Sequence, residues 1–231
     1  KRQLKADVID QKAAKIPFER IVAEYRPVEP ARFVIDTPDK ENAMLFARVD
    51  LPANLSDADM PALITADWII GGSDGLSNRI VNRLRQKEGL SYGSGSNITL
   101  PSFGNRAKWS VGAIVAPQNL AQAEKSLKDE LARAYRDGIT EAELAEAKRG
   151  IIGSRAVNRA QDGMVASNWV NNLETGRTWQ FSKETEAAIE ALTVEDVNKA
   201  LRRFCDVSKL TFALAGDLAK AKAAGKDFTQ P

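Results

Sequence analysis

The sequence predicts an α+β domain: a two-layer sandwich with a mostly antiparallel sheet and helices packed on one face. Apolar and polar residues alternate over 43–51 and 107–115, the period of half-buried strands. Between and after these stretches, apolar residues recur at helical spacing. The order is strands, two helices, a hairpin, several helices and a closing strand. Helices grouped between strands in this way give an α+β pattern rather than a run of parallel crossovers.

Taken in order, residues 1–30 form an extension or linker that ends in Pro27 and Pro30. Residues 33–36 and 43–50 are β-rich and flank the turn signal Pro38-Asp39-Lys40. In the second of these, Leu45, Ala47, Val49 and Leu51 share one face. A helix capped by Ser56 or Asp57 then carries Met60, Leu63, Ile64, Trp68 and Ile69, and stops at Gly71-Gly72. The next begins near Ser73 or Asp74, carries Leu76, Ile80 and Leu84 on one stripe, and ends at Gly89. Residues 90–100 and 107–115 make an antiparallel hairpin across a short polar link. A helix over 118–136 stops at Gly138. Thr140 with Glu143 has capping-box spacing and opens a long helical stretch, which Gly150, Gly153 and Gly163 are expected to bend or interrupt. Further helices cover 183–192 and 194–204, the latter capped by Thr193 with Asp196. Leu210, Phe212 and Leu214 alternate in a final strand, and 219–231 reads as a loosely ordered tail.

Composition excludes several functions. The chain has 231 residues, enough for a full core without metal or disulfide staples. Its net charge of +2 creates no field for nucleic acid or anionic lipid. The basic run from Arg79 to Lys87 reads as a solvated helix face. The single cysteine, Cys205, cannot form an internal bridge; placed in a helical stretch, it reads as a small buried hydrophobe. No apolar run reaches the ~20 residues of a membrane span. No signal peptide is visible, and a first residue other than Met points to a processed or excised chain. The chain has no histidine, which excludes His/Glu zinc sites, Ser-His-Asp triads and Cys-His dyads within it. No Asp/Glu cluster has calcium-loop spacing. Gly93-Ser94-Gly95 lacks the following lysine of a phosphate loop and reads as a place where another backbone approaches closely. Trp68, Trp109, Trp169 and Trp179 read as core or interface residues, and Asn171-Asn172 as a helix-end feature.

The most specific segment is LSNRIVNRLRQKEGLSYGSGSN, residues 76–97, with Leu84-Arg85, Glu88-Gly89-Leu90 and Ser91-Tyr92. Together with Thr140, Glu143 and Leu144 at the long helix and the closing Ala215-Gly216-Asp217, it resembles the C-terminal domain of pitrilysin-type zinc metallopeptidases, which include insulysin and mitochondrial processing peptidase. The resemblance spans residues 32–217 and implies that 31–218 form this domain. It further implies a chamber between two homologous domains. One domain holds zinc on a His-x-x-Glu-His helix and a distal glutamate; the other, the kind resembled here, grips the substrate peptide through an arginine and a tyrosine seven residues apart. Arg85 and Tyr92 match that pair. On this reading the chain has no cofactor and no catalytic residue of its own, and zinc comes from a partner domain or subunit. The periplasm of a bacterial cell envelope is the implied location.

Residue chemistry agrees, since a guanidinium and a phenol can both donate to the carbonyls of an extended peptide. Periodicity alone does not select Arg85, because Arg79 and Arg83 flank the same stripe. The alternative function is a catalytically silent homologue that serves as a scaffold. An unrelated ligand-binding module would place Arg85 and Tyr92 on opposite sides of the fold.

Overall fold

The computed structural model describes residues 21–73 and 77–229. Five strands form one sheet: β1 (Arg32–Asp36), β2 (Ala43–Pro52), β3 (Ser91–Thr99), β4 (Arg106–Val115) and β5 (Thr211–Gly216), in the order β1-β5-β2-β4-β3. The β1–β5 pair is parallel and the others are antiparallel. With the helices against one face, this is the α+β sandwich the sequence predicts. The Pro38-Asp39-Lys40 turn does not make a hairpin of β1 and β2, because the C-terminal strand β5 inserts between them. Local turn chemistry carries no information about a strand more than 150 residues away.

Alternation decides the core. In β2, Ala43, Leu45, Ala47 and Leu51 are buried; in β4, Ala107, Trp109, Val111, Ala113 and Val115 are. These side chains meet the helix layer, whose long members are α3 (Leu120–Asp137) and α4 (Glu141–Arg159). Leu120, Leu127 and Leu131 of α3 are fully buried, whereas Tyr135 is 39% exposed. Gly138, at φ 75°, ends α3, and Thr140 with Glu143 forms the expected capping box on α4.

Helix α1 (Met60–Asp67) continues as a π turn over Trp68–Gly72. Asp59 sits at its N-cap without a side-chain capping bond, its carboxylate accepting from Arg203 instead, while Asp57 accepts from the Asn54 N–H. The helix that follows, α2 (Arg79–Val81), widens into a π segment over Asn82–Lys87. Its cap is Asn78, which accepts from the Val81 N–H at 2.8 Å, rather than Ser73; the other expected start, Asp74, and Leu76 lie outside the described residues.

The long helical stretch breaks at Ala160–Gln161, giving α5 (Asp162–Thr175). Gly150 and Gly153 lie inside α4, and a Cβ on Gly150 would stand 3.1 Å from the Trp68 ring, so that glycine serves packing rather than bending. Next come α6 (Trp179–Ala191) and α7 (Val194–Leu201), the latter under the Thr193–Asp196 capping box. Cys205 follows α7 instead of lying within it, and is fully buried. Burial raises its thiol pKa well above the ordinary range, as suits a packing residue.

The closing stretch, read from composition as loose, carries α8 (Leu218–Ala223) and buries Phe228. Arg32 donates to the Phe228 and Thr229 carbonyls and ties this stretch to β1. Of the expected extension, residues 1–20 lie outside the described residues, and 21–30 run without regular structure, held by the Tyr25 N–H bond to Asn105 at 2.7 Å.

Candidate functional site

Arg85 and Tyr92 reach the surface through two local departures from regular geometry. The π segment of α2 closes at Gly89, whose φ of 61° suits glycine. There the Leu90 N–H bonds to the Leu84 carbonyl at 2.8 Å and the Gly89 N–H to the Arg85 carbonyl at 3.2 Å. This is a Schellman-like closure widened by the π turn. It puts Arg85 in the last turn, just before the chain reverses into β3.

At the start of β3 the register slips: Ser91 pairs with Val115 and Gly93 with Ile114, leaving Tyr92 as the extra residue of a bulge. The Ser91 hydroxyl holds the bulge, donating to the Ile114 carbonyl at 2.8 Å and accepting the Gly93 N–H at 3.2 Å. Tyr92 is thereby turned outward and is 66% exposed.

Both side chains line one cleft of about 340 Å³, together with Gly71, Gly72, Ser73, Val81 and Gly93–Ser96. They are on the same side of the fold.

Three arginines of this helix are separated by their partners. Arg79 makes a two-pronged ion pair with Glu143, Nε–Oε1 2.6 Å and Nη2–Oε2 2.8 Å, and also donates to the Gly138 carbonyl. Burial alone would push the Glu143 carboxyl upward, but Arg79 and Thr140 outweigh it and hold it below its ordinary value. Arg83 pairs with Glu88, which also accepts from Ser126 of α3. Among the described residues Arg85 pairs with no carboxylate, and the Tyr92 hydroxyl makes no hydrogen bond. An exposed guanidinium and phenol on one cleft can both donate to a ligand's carbonyl oxygens.

The Gly71–Ser73 part of the cleft is fixed by a residue that the sequence pattern did not single out. Asp67 is 6% exposed, and its carboxylate accepts from Ser96 Oγ at 2.6 Å, Trp109 Nε1 at 2.7 Å and the Ile98 N–H at 3.1 Å. Burial raises its pKa, and these three bonds offset only part of the rise. The bonds clamp the π turn of α1 onto the edge strand β3. Contact there is close: a Cβ on Gly71 would lie 2.7 Å from the Ser96 nitrogen, and one on Gly95 3.0 Å from the Gly71 carbonyl oxygen. The close backbone approach read at Gly93-Ser94-Gly95 is thus found at Gly95. The available signal for Asp67 was a lone carboxylate in the apolar run LITADWIIGG.

No group of three or more Cys, Asp or Glu side chains able to hold a metal assembles among the described residues. With no histidine in the chain, these residues do not fit a catalytic zinc.

Solved structures of similar fold include the peptidase M16 inactive domain from Pseudomonas fluorescens, with TM-score 0.76, 22% identity and 87% of this chain covered. A protease from Helicobacter pylori matches with TM-score 0.73 and 18% identity over 90% of this chain. The periplasmic protease PqqL from Escherichia coli matches with TM-score 0.60 and 17% identity over 83% of this chain, and 21% of its own chain is covered. The chain spans about half the length of the first two, 47% and 48%. No curated protein matches the sequence. The sequence pattern of the peptidase M16 inactive domain matches residues 4–151, well over half of the chain, and the chain belongs to that family.

Proposed function

We propose that residues 31–218 are the substrate-gripping half of a zinc metalloendopeptidase, and that Arg85 and Tyr92 hold an extended peptide beside its scissile bond. The observation that supports this most directly is the sorting of side chains around the cleft. Among the described residues Arg79 and Arg83 are tied to carboxylates, while Arg85 and Tyr92 stand unpaired on one concavity. Donors that need no protein partner are available to peptide carbonyls. Held rigidly by the Gly89 closure and the Tyr92 bulge, they are oriented before the peptide arrives.

Zinc and the general base come from a separate His-x-x-Glu-His domain or subunit, since this chain has no histidine and its described residues assemble no ligand set for the metal. Within the division of labour, Arg85 and Tyr92 bind and orient the peptide. Hydrogen bonds from them that strengthen as negative charge develops on the carbonyl oxygen would raise the rate as well as the affinity. A periplasmic location is proposed from the E. coli relative. Among the described residues, no helix is long and apolar enough to cross a membrane.

The test is peptide binding to this chain alone, read by fluorescence anisotropy of a labelled, unstructured peptide. Arg85→Ala and Tyr92→Phe should each weaken binding, Arg85→Ala by about tenfold, the value of a charge-assisted hydrogen bond. Lys87→Ala, at the same helix end but outside the cleft, should leave it unchanged. Equal affinity in all four proteins would count against the assignment.

A further inference from the structure

Four asparagines, Asn158 near the end of α4 and Asn168, Asn171 and Asn172 on α5, line one groove of about 440 Å³. Trp179, Phe181 and Ser182 of α6 line it too, and none of its residues lines the Arg85–Tyr92 cleft. Its volume is that of a ligand-binding cavity. Asparagine is a poor helix former, because its carboxamide competes with the backbone for hydrogen bonds. Three of them among the 14 residues of α5 weaken that helix unless the side chains are used. Inside the domain they are not used. Among the described residues the four carboxamides make no hydrogen bond. The helix end read at Asn171-Asn172 is made by backbone instead: the Arg177 N–H bonds to the Asn172 carbonyl at 2.8 Å, and Gly176 turns the chain at φ 67°.

A carboxamide has the donor and the acceptor of a peptide unit, so it can bond both groups of a backbone laid beside it. Asn168 and Asn172 are half-buried and one turn apart on one face of α5. At ~1.5 Å per residue their separation along the helix axis is ~6 Å. An extended chain repeats its orientation every second residue, or ~6.6–6.8 Å. The two carboxamides therefore match alternate peptide units of an extended strand.

Charge narrows the occupant further. Three arginines line the groove against one carboxylate, Glu174. Arg155 and Arg159 share the Glu186 carboxylate. Arg177 pairs with no carboxylate among the described residues; it donates to Ser56 Oγ at 3.0 Å and lies over the Phe181 ring, 4.4 Å from its centroid. A guanidinium stacked in this way still has N–H groups to offer an incoming anion. We propose that this groove is a second peptide-binding site, which takes an extended, acidic segment with its backbone along Asn168 and Asn172 and a carboxylate at Arg177. Met164, 40% exposed at the groove, offers a soft apolar contact to the segment's other side chains. The proposal is independent of the roles given to Arg85 and Tyr92.

Fluorescence anisotropy on the full chain carrying Arg85→Ala and Tyr92→Phe separates the two sites. The probes are two labelled Gly/Ser-rich peptides of equal length, one bearing aspartates and the other lysines. The aspartate peptide should bind this background, and more tightly than the lysine peptide. Adding Asn168→Ala and Asn172→Ala should weaken it by at least about tenfold. Arg177→Gln should reduce the preference for aspartate. Alanine is the better helix former, so the asparagine variant should melt no lower than its parent, which distinguishes a lost contact from lost structure. No binding of the aspartate peptide in this background, an affinity unchanged by the asparagine substitutions, or a fall in melting temperature alongside the lost binding would each overturn the proposal.

Discussion

Asp67 interrupts an apolar helix end, and its carboxylate takes three donors from two strands. Replacing it by Asn sets an amide N–H against one of those donors in either orientation of the carboxamide. Asp67→Asn should therefore cost ~1–3 kcal/mol, read as a lower urea midpoint at unchanged slope. An unchanged midpoint would mean that the clamp contributes nothing. The sequence made Arg85 and Tyr92 legible as a pair through spacing and family likeness, but could not distinguish Arg85 from Arg79 and Arg83. That distinction depends on Glu143 and Glu88, and Glu143 lies 64 positions away from Arg79. The role of Asp67 was hidden for the same reason, since its donors sit on strands that only the fold brings near.

Alternation and capping patterns are local, and they located β2, β4, the boxes at Thr140 and Thr193, and the glycine stops at Gly89 and Gly138. The π turns, the bulge at Tyr92 and the parallel pairing of β1 with β5 arise from packing between distant segments and leave no periodic trace. Helix α2 is short, so its cap matters more than average. Asn78→Ala removes the side-chain bond to the Val81 N–H and should cost ~1 kcal/mol. Because the same helix carries Arg85, peptide affinity should fall with it, and thermal melts beside the anisotropy measurement would show both effects. A stability loss with full affinity would mean that the Gly89 end alone positions Arg85.

The whole molecule should be acid-sensitive in a way its carboxylates dictate. Burial pushes the Glu124 carboxyl upward, but Arg32 and Lys128 outweigh it and hold it below its ordinary value; Glu143 behaves alike beside Arg79. A carboxyl lowered in the fold contributes stability that is full above its unfolded pKa and lost as pH falls through the folded one. Asp67 has the opposite sign: raised by burial, it loses stability as pH rises from its unfolded toward its folded pKa. Thermal stability should therefore fall as pH drops below ~4.3, and Glu124→Gln should flatten that acid limb. An acid limb of equal slope in the variant would assign the effect elsewhere.

The central claim is that this domain supplies the peptide-holding donors of a divided active site. Steady-state kinetics of the chain combined with a zinc-bearing His-x-x-Glu-His domain test it most directly. Alone, the chain should cleave nothing. Assembled, it should support cleavage, with kcat/KM reduced on the order of 10²-fold by Arg85→Ala and also lowered by Tyr92→Phe. Wild-type kcat/KM in both variants would contradict the account.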